Sequence, residues 1–442
     1  MKAWVSLLLV GAVLAYGYLD ARRRARVDRG PRHHRTDFTV YQVAAEALRD
    51  GTDPYEARNP RGYRYVYPPL LAVLLQPVAK MEPPDAAYLF FILSAALLAW
   101  SLLMLARLRP WRDRPLGWAP VLLALGLCFG FAHQGFQRGQ ITHALLALQV
   151  GAFALALRQR FVGAGLALGF ASVLRLTPLL PAGVLGLGLL AMVRTRGWRP
   201  VLRYSGGLAA ALLLGIVVIP WASLGASRAQ EVTERWVEVT RAIYTPGTGA
   251  KASLEKDYAI NEFRFKNQAP RRVAMTYAGW IEGAGFERER PALSSGATRG
   301  AEGVSTGVAL FVLLAAAWLG WSWLRRPETP QAALAYMLAV ALPVLVTRYT
   351  WPTHFLMVLP LLAILLGRTS VGGRTLWARL LQHLRAMPRA VWAFFLATAL
   401  FYAAHARALQ PIGEAGCLLV GALVLFAGAW HVGRTSKAPD HG

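Results

Sequence analysis

The chain has 442 residues, of which 55% are hydrophobic and only 16% charged, and its formal net charge is +25. This composition excludes an ordinary soluble globular protein and is typical of polytopic membrane proteins. The basic residues lie between apolar segments without any nucleic-acid-binding motif, so we expect no nucleic-acid partner and ascribe the charge to membrane topology and lipid phosphate.

Apolar segments of roughly the length that crosses a bilayer, about 20 residues, recur along the whole chain. The predicted fold class is an all-α polytopic membrane protein with a single membrane domain over residues 1–432 and a short cytoplasmic tail at 433–442. Twelve transmembrane segments are predicted, at residues 3–19, 86–106, 116–133, 141–157, 161–176, 178–193, 204–222, 304–324, 331–347, 354–367, 390–406 and 413–432.

Arginines in the short loops predict the orientation, because positive charge in short loops marks the cytoplasmic side. With the N-terminus inside, the arginine-rich loops are cytoplasmic, and the two long polar segments at 20–85 and 223–303 are extracytoplasmic. Arginine makes up 42 of the 48 basic residues, a bias typical of GC-rich bacteria, so we expect a bacterial plasma membrane. The basic run from Arg22 to Arg35 goes against the positive-inside rule in this orientation, and its side stays open.

The first long loop contains the most informative polar stretch, Arg35 to Pro69. Apolar residues at spacings of three and four predict an amphipathic helix over residues 38–49 that ends near Gly51. Asp37 stands at its start. Two interpretations are open for Asp37: an N-cap that accepts backbone N–H groups, or a carboxylate held rigidly at the mouth of a membrane cavity, as a general base requires.

After this predicted helix come turn residues, several tyrosines and the Pro68–Pro69 pair. We expect the tyrosines to lie at the interface of lipid and water. The apolar segment that follows Pro69 is too short to span, so it is expected to form an interfacial or re-entrant helix.

Two ionisable residues, Arg348 and His354, flank an aromatic, proline-containing turn beside a predicted span. Ionisable groups in such a position are functional candidates, but packing for His354 and contact with lipid headgroups for Arg348 are the alternatives. His133 and His143 near Arg138 and Gln140 suggest a metal site, but no carboxylate completes a ligand set, so we expect no metal.

Four segments occur in an order that resembles glycosyltransferase family 87 of the GT-C superfamily, the group that contains polyprenol-phosphate-mannose-dependent mannosyltransferases. They are DFTVYQVAAEALRDGTDPY, YVYPPLLAVLLQPVA, RGQITHALLAL and VLRLTPLL, and the similarity extends over about residues 1 to 370. The resemblance implies a lipid-phosphate sugar donor, an outer-loop aspartate as base, and no nucleotide sugar or other cofactor.

The family's aspartate corresponds to Asp37, and Tyr41 follows it by four residues as in the family pattern. The G-x-D-P-Y motif corresponds to Gly51, Asp53, Pro54 and Tyr55, and the family's G-Q turn to Gly139 and Gln140, preceded by Arg138. Two departures stand out. Arg175 precedes the Thr177–Pro178 pair where a lysine is more usual, and Asn267–Gln268 is followed by Ala269 where the family often has serine.

The resemblance predicts a membrane glycosyltransferase that moves a hexose, with mannose as the first candidate, from a polyprenyl-phosphate donor to an extracytoplasmic hydroxyl with inversion. Its partners would be the donor, a glycolipid or glycan acceptor, and membrane lipid. Asp37 would be the base. The residues expected to bind the donor phosphate are Arg175, Arg348, His354, Arg271 and Arg272, and those expected to contact substrate are Tyr41, Asp53, Tyr55, Tyr67, Arg138, Gln140 and Asn267.

A transporter or flippase for a polyprenyl-linked sugar is the alternative function, since it would also have many spans and arginines on the outer face. It would require binding residues inside the spans and access from both sides. Charges in the middle of the predicted spans are scarce, which favours the transferase.

Overall fold

The structure, a computed structural model, describes residues 3–26, 34–110, 115–244, 267–282, 295–325, 329–347, 350–368, 375–404, 412 and 415–435. Within these residues the only β-structure is an isolated antiparallel bridge between Arg58 and Arg64. The rest is helices and their connections, so the all-α prediction is confirmed.

The helices of the N-terminal half are α1 (Ala3–Arg24), α2 (Phe38–Arg49), α3 (Pro69–Leu75), α4 (Pro83–Arg107), α5 (Trp118–Leu127), α6 (Phe129–Arg138), α7 (Thr142–Leu157), α8 (Phe161–Leu174), α9 (Leu179–Ala191), α10 (Val193–Arg196) and α11 (Arg199–Leu213). Those of the C-terminal half are α12 (Ile219–Leu224), α13 (Ala226–Tyr244), α14 (Pro270–Ile281), α15 (Ser295–Ser322), α16 (Pro330–Ala341), α17 (Pro343–Val346), α18 (Leu359–Gly367), α19 (Leu376–Arg385), α20 (Arg389–Ala403) and α21 (Cys417–Thr435). Tighter 3₁₀ turns form at Gln76–Val78 and Pro352–Val358, and a π-helical segment, Leu214–Val218, joins α11 to α12.

Four described helical segments are long and apolar enough to cross a membrane: Pro83–Arg107, Arg199–Leu224, Gly296–Ser322 and Cys417–Thr435. Two bent helix pairs would bring the number to six. The chain is therefore a multi-pass membrane protein. The total of twelve spans stays a prediction, since α8 with 14 residues reaches only about 21 Å at 1.5 Å per residue.

The predicted span at 116–133 is divided in the structure. α5 and α6 meet at an angle of 65° beside Cys128, which belongs to neither helix. The apolar run ends there because α6 is amphipathic: it buries Phe131, Ala132 and Gly135, while its polar side chains lie on its other faces. The bend carries the end of α6 to the first long loop.

The centre of the bundle is formed by α16 and α18. Every residue from Ala332 to Ala341 is buried, and so is every residue from Leu359 to Leu366. Helices that are apolar on all sides are expected in such a position. The 3₁₀ turn Pro352–Val358 continues directly into α18, so the side chains of this turn are held by the most buried part of the fold.

Close approach of two backbones joins α8 to α11. A Cβ atom on Gly165 would lie 2.2 Å from the Tyr204 carbonyl oxygen, and one on Gly207 would lie 2.2 Å from that of Val162. Small residues at such contacts are the usual way in which membrane helices pack. The contact continues toward the end of α8, since a Cβ on Gly215 would lie 2.8 Å from the Val173 side chain, two residues before Arg175.

Candidate functional site

The helix predicted in the first loop has the predicted bounds. α2 runs from Phe38 to Arg49, and Gly51 adopts a φ of +74°, the left-handed conformation that often follows a helix end. Asp37 occupies the N-cap position, but its side chain makes no capping hydrogen bond. Its carboxylate is directed elsewhere, so capping does not account for this residue.

The Asp37 carboxylate is surrounded by donors from two other segments. Arg61 Nη1 lies 3.1 Å from Oδ1, and Arg138 Nη1 lies 3.5 Å from the same oxygen. Gln140 donates through Nε2 to Oδ2 at 3.1 Å. The side chain of Asp37 keeps 22% of its surface exposed, so both oxygens are held while the group stays accessible.

The turn at residues 138–140 also binds the backbone around Asp37. The Asp37 N–H and the Thr36 hydroxyl both donate to the Arg138 carbonyl oxygen, at 2.8 and 3.2 Å. Gly139 has a φ of +62°, and a Cβ there would lie 2.6 Å from the Cβ of Phe38. Only glycine therefore fits at this position, which explains the glycine of the G-Q turn.

Arg61 is the main residue that the sequence analysis missed. Asn59 Oδ1 accepts from the N–H groups of Arg61 and Tyr63, both at 3.0 Å, and its Nδ2 donates to the Thr39 hydroxyl at 3.3 Å. Arg61 also donates through Nη2 to the Tyr63 hydroxyl at 2.9 Å. The N-P-R-G-Y sequence indicates a turn. Nothing in it indicates that the turn directs an arginine toward Asp37.

His34 supports the other side of this turn. Its Nε2 lies 2.7 Å from the Thr39 hydroxyl and its Nδ1 lies 3.2 Å from the Arg26 carbonyl oxygen. Burial is the main cause that lowers the pKa of His34 below its ordinary value. The end of α1, the start of α2 and the turn that carries Arg61 are thus joined by polar contacts.

The tyrosines of the first loop pack against one another. Tyr41, Tyr55 and Tyr65 are buried, and the Tyr55 hydroxyl donates to the Tyr67 carbonyl oxygen at 3.1 Å. The expected arrangement at the lipid interface is replaced by an internal cluster, with the rings of Tyr41 and Tyr67 5.3 Å apart and nearly perpendicular. Rings at this distance and angle attract each other.

Tyr41 lies close enough to Asp37 and to Arg175 for both charges to act on its hydroxyl. Burial raises the pKa of its hydroxyl well above the ordinary value, and Tyr67 and Asp37 add to the rise, whereas Arg175 opposes it. The hydroxyl donates to the Tyr67 hydroxyl at 3.5 Å, so this contact joins Tyr41 to the tyrosine cluster.

Asp53 is engaged within the protein. One oxygen accepts from the Tyr55 N–H at 2.8 Å, and the other lies 3.0 Å from Arg235 Nε on α13. Arg235 also pairs with Glu56, and Arg228 donates to the Thr52 carbonyl oxygen at 2.6 Å. These contacts dock α13, from the second long loop, onto the turn of the first.

A small cavity of about 20 Å³, partly open to its surroundings, lies between the start of α7 and the end of α8. Arg175 and His354 both line it, and Arg175 Nη2 lies 2.8 Å from His354 Nε2, so two residues predicted to bind phosphate are brought together. Further lining residues include Thr142, Gln149, Thr177 and Thr347.

Both ring nitrogens of His354 face N–H groups. The Trp351 N–H points to Nδ1 at 3.2 Å, and the Arg175 guanidinium, which can only donate, points to Nε2. A neutral imidazole accepts at one nitrogen and donates at the other. Since Arg175 can only donate and makes the shorter contact, Nε2 accepts from it, and the remaining N–H groups of Arg175 are the donors suited to an anion in the cavity.

The other predicted phosphate ligands lie in different settings. Arg271 pairs with Glu302 of α15 at 3.0 Å, and Arg272 is buried with its Nε donating to the Asn267 carbonyl oxygen at 2.7 Å. Asn267 Oδ1 accepts from the Thr350 N–H at 2.8 Å, so this residue fastens its segment to the turn that carries His354. Arg348 lies outside the described residues.

Among the residues that the structure describes, no group of three or more His, Cys, Asp or Glu side chains is placed to hold a metal ion. His143 stacks on Phe136 with ring centroids 4.1 Å apart, and His133 lies 3.1 Å from the Tyr16 hydroxyl. The two histidines near the 138–140 turn thus have separate neighbours.

The sequence model of glycosyltransferase family 87 matches residues 65–348, more than half of the chain. Asp37 and His354 lie outside that range. The crystal structure of ArnT from Cupriavidus metallidurans in the apo state is similar with a TM-score of 0.45 and 16% identity, over 98% of this chain and 78% of that one. The structure of ArnT bound to undecaprenyl phosphate gives 0.39 and 17%, over 98% and 79%. A comparison with curated proteins finds no match.

Proposed function

The chain belongs to glycosyltransferase family 87, and from that premise we propose that it transfers a sugar from a polyprenyl-phosphate donor to a hydroxyl group at the extracytoplasmic face of a bacterial plasma membrane. Mannose is the first candidate for the sugar, and a glycolipid or glycan for the acceptor. The prenyl chain stays in the lipid while the sugar phosphate binds at the opening of the cavity, with its phosphate toward Arg175.

One observation carries the assignment of the two ends of the site. The short segment 138–142 contacts the Asp37 carboxylate through Gln140 and lines the Arg175–His354 cavity through Thr142. The proposed base and the proposed anion-binding pair therefore both lie next to the same few residues. A transfer reaction with a phosphate leaving group needs these two elements side by side.

In the proposed reaction, Asp37 accepts the proton of the acceptor hydroxyl as its oxygen attacks the anomeric carbon. The new carbon–oxygen bond forms while the bond to the phosphate oxygen breaks, and polyprenyl phosphate leaves with the electron pair. A single displacement of this kind inverts the anomeric configuration. Because phosphate is already a good leaving group, a second carboxylic acid of the kind that glycosidases use is not needed.

The contacts of Asp37 leave room for the acceptor. A carboxylate has about four lone-pair positions, and the donors named above, Arg61, Arg138 and Gln140, occupy three of them. The remaining position and the exposed part of the side chain are available to an acceptor hydroxyl. The three donors hold the carboxylate in one orientation, which a general base requires.

The departing phosphate gains negative charge, and Arg175, held by its hydrogen bond to His354, would stabilise it. Guanidinium N–H groups make strong, charge-assisted hydrogen bonds to phosphate oxygens. Arg271, Arg272 and Asn267 contribute indirectly in this scheme, since their contacts hold the segment next to Thr350. Arg348 remains a predicted phosphate ligand.

The test is transfer of a radiolabelled sugar from polyprenyl phosphate in membranes that contain the full-length protein. Asp37→Asn should lower the rate by about 10²–10⁴-fold, the usual contribution of a general base, at unchanged expression. Glu46→Gln, an exposed acidic position on the same helix, is the matched control and should retain the wild-type rate.

Wild-type turnover in Asp37→Asn would overturn the assignment of the base. If the wild type transfers no sugar from any polyprenyl-phosphate donor, but moves the donor across sealed vesicles, the protein is a flippase instead.

A further inference from the structure

The first turn of α7 faces the Arg175–His354 cavity. The first N–H groups of an α-helix have no partner within the helix, and here the N-cap residue is Ile141, whose side chain cannot accept a hydrogen bond. These N–H groups carry partial positive charge, which favours an anion near the helix start. A helix start alone does not make a binding site.

Thr142 adds an independent observation. It is the first residue of α7, its side chain is only 1% exposed, and it lines the cavity together with Arg175 and His354. Its hydroxyl oxygen has no hydrogen-bond partner among the described residues. A buried hydroxyl without a partner is unfavourable, so this position lowers the stability of the protein when no ligand is bound.

Other buried threonines of the chain show the contrast. Thr398 donates to the Phe394 carbonyl oxygen at 2.8 Å, and Thr276 donates to that of Arg272 at 3.1 Å. A hydroxyl in the middle of a helix can bond the carbonyl oxygen one turn before it. Thr142 has no helical turn before it, since α7 begins there, so its hydroxyl needs a partner from outside the helix.

We propose that the Thr142 hydroxyl and the first N–H groups of α7 bind the phosphate group of the polyprenyl-phosphate donor, together with Arg175 and His354. This inference rests on the proposed function, because it assigns a further ligand to the same phosphate. The Arg175 guanidinium attracts the phosphate. The hydroxyl and the backbone N–H groups fix which of its oxygens face the protein.

The position of Thr142 gives this contact a second effect. Gln140 bonds the Asp37 carboxylate, so residues that bind the phosphate and residues that hold the base are only two positions apart in the chain. The phosphate and the base would therefore be held by one short segment, which fixes the distance between them.

The test is binding of undecaprenyl phosphate to the purified full-length protein in lipid nanodiscs, measured with Thr142→Val, Thr142→Ser and Thr398→Val. Thr142→Val keeps the shape but removes the hydroxyl, so it should bind about tenfold more weakly, the effect of one hydrogen bond to a charged group. Its thermal unfolding midpoint without ligand should equal or exceed that of the wild type. Thr142→Ser should bind as the wild type does, and Thr398→Val should lose no affinity.

Three results would overturn the inference: wild-type affinity in Thr142→Val, a lower unfolding midpoint that accompanies its weaker binding, or failure of serine to restore binding. Failure of the proposed function looks different. In that case the wild type and Arg175→Ala would bind undecaprenyl phosphate equally weakly, and no variant at Thr142 would matter.

Discussion

The two ends of the site are built in opposite ways. At one end the Asp37 carboxylate receives donors from Arg61, Arg138 and Gln140, so the protein itself holds this group. At the other end Arg175 and Thr142 present donors to a cavity that His354 also lines, and the Thr142 hydroxyl has no partner within the described residues. In the proposed reaction the base is set in place before substrate arrives, whereas the phosphate site is completed by the ligand that binds there.

This difference predicts that changes at the two ends alter different steps. Loss of a donor at the cavity should weaken binding of the phosphate in the ground state and in the transition state. Disturbance of the Asp37 end should lower the rate of the chemical step while donor affinity stays the same.

Among changes that leave Asp37 itself intact, the largest effect is expected at Arg175. Arg175→Ala should lower kcat/KM for sugar transfer by about 10²–10³-fold, the usual loss when one donor to a developing negative charge is removed. Arg175→Lys keeps the charge without the planar guanidinium, so it should retain an intermediate rate. The measurement is transfer of a radiolabelled sugar from its polyprenyl-phosphate donor at several donor concentrations. Near wild-type kcat/KM in the alanine variant would show that Arg175 does not bind the phosphate.

A smaller effect is expected when Asp37 is displaced while its carboxylate and the donors around it are unchanged. Gly139→Ala introduces a Cβ 2.6 Å from the Cβ of Phe38, so α2 must shift, and a misplacement of about 1 Å can cost about 10²-fold in rate. We expect kcat to fall while affinity for undecaprenyl phosphate is unchanged.

Gly51→Ala is the matched control for Gly139→Ala. Gly51 has a similar positive φ of +74°, but a Cβ there meets nothing within 4 Å. Left-handed backbone strain should cost each variant about 1–2 kcal/mol of stability, and the contact with Phe38 adds to that cost in Gly139→Ala. Only Gly139→Ala should lose activity. Equal activity in the two variants would show that the close contact with Phe38 does not position Asp37.

The smallest effect is expected at Arg235, which joins α13 to Asp53 and Glu56 outside both ends. These carboxylates are partly exposed, so Arg235→Gln should cost less than about 1 kcal/mol in stability and leave the transfer rate near that of the wild type. A thermal shift assay and the transfer assay check the two parts. A fall in rate as large as in Gly139→Ala would make α13 part of the site.

The local parts of the site follow from the sequence. Spacings of three and four residues and the glycine at position 51 predict α2 with its observed bounds, because amphipathic periodicity and helix ends depend on neighbouring residues. A short helix also forms after Pro68 as predicted, while its interfacial or re-entrant position stays a prediction. Membership of family 87 confirms the resemblance that the ordered motifs indicate.

The parts that sequence patterns do not predict are contacts between distant segments. Arg61 reaches Asp37 because Asn59 bonds Thr39, and Asn267 bonds Thr350 across 83 residues. No local periodicity encodes such pairs. The bend between α5 and α6 is not predicted for a related reason. Hydropathy averaged over the whole segment does not show the position at which the apolar helix ends and the amphipathic one begins.

The sequence distance between the partners at this site has a consequence in time. Gln140 follows Asp37 by 103 residues, and His354 follows Arg175 by 179. At about 5–20 residues per second, a ribosome needs roughly 10–35 s to add the second member of the later pair. During membrane insertion the loop with Asp37 is therefore made long before its partners in the site. A nascent protein cannot transfer sugar before its central helices are in the bilayer.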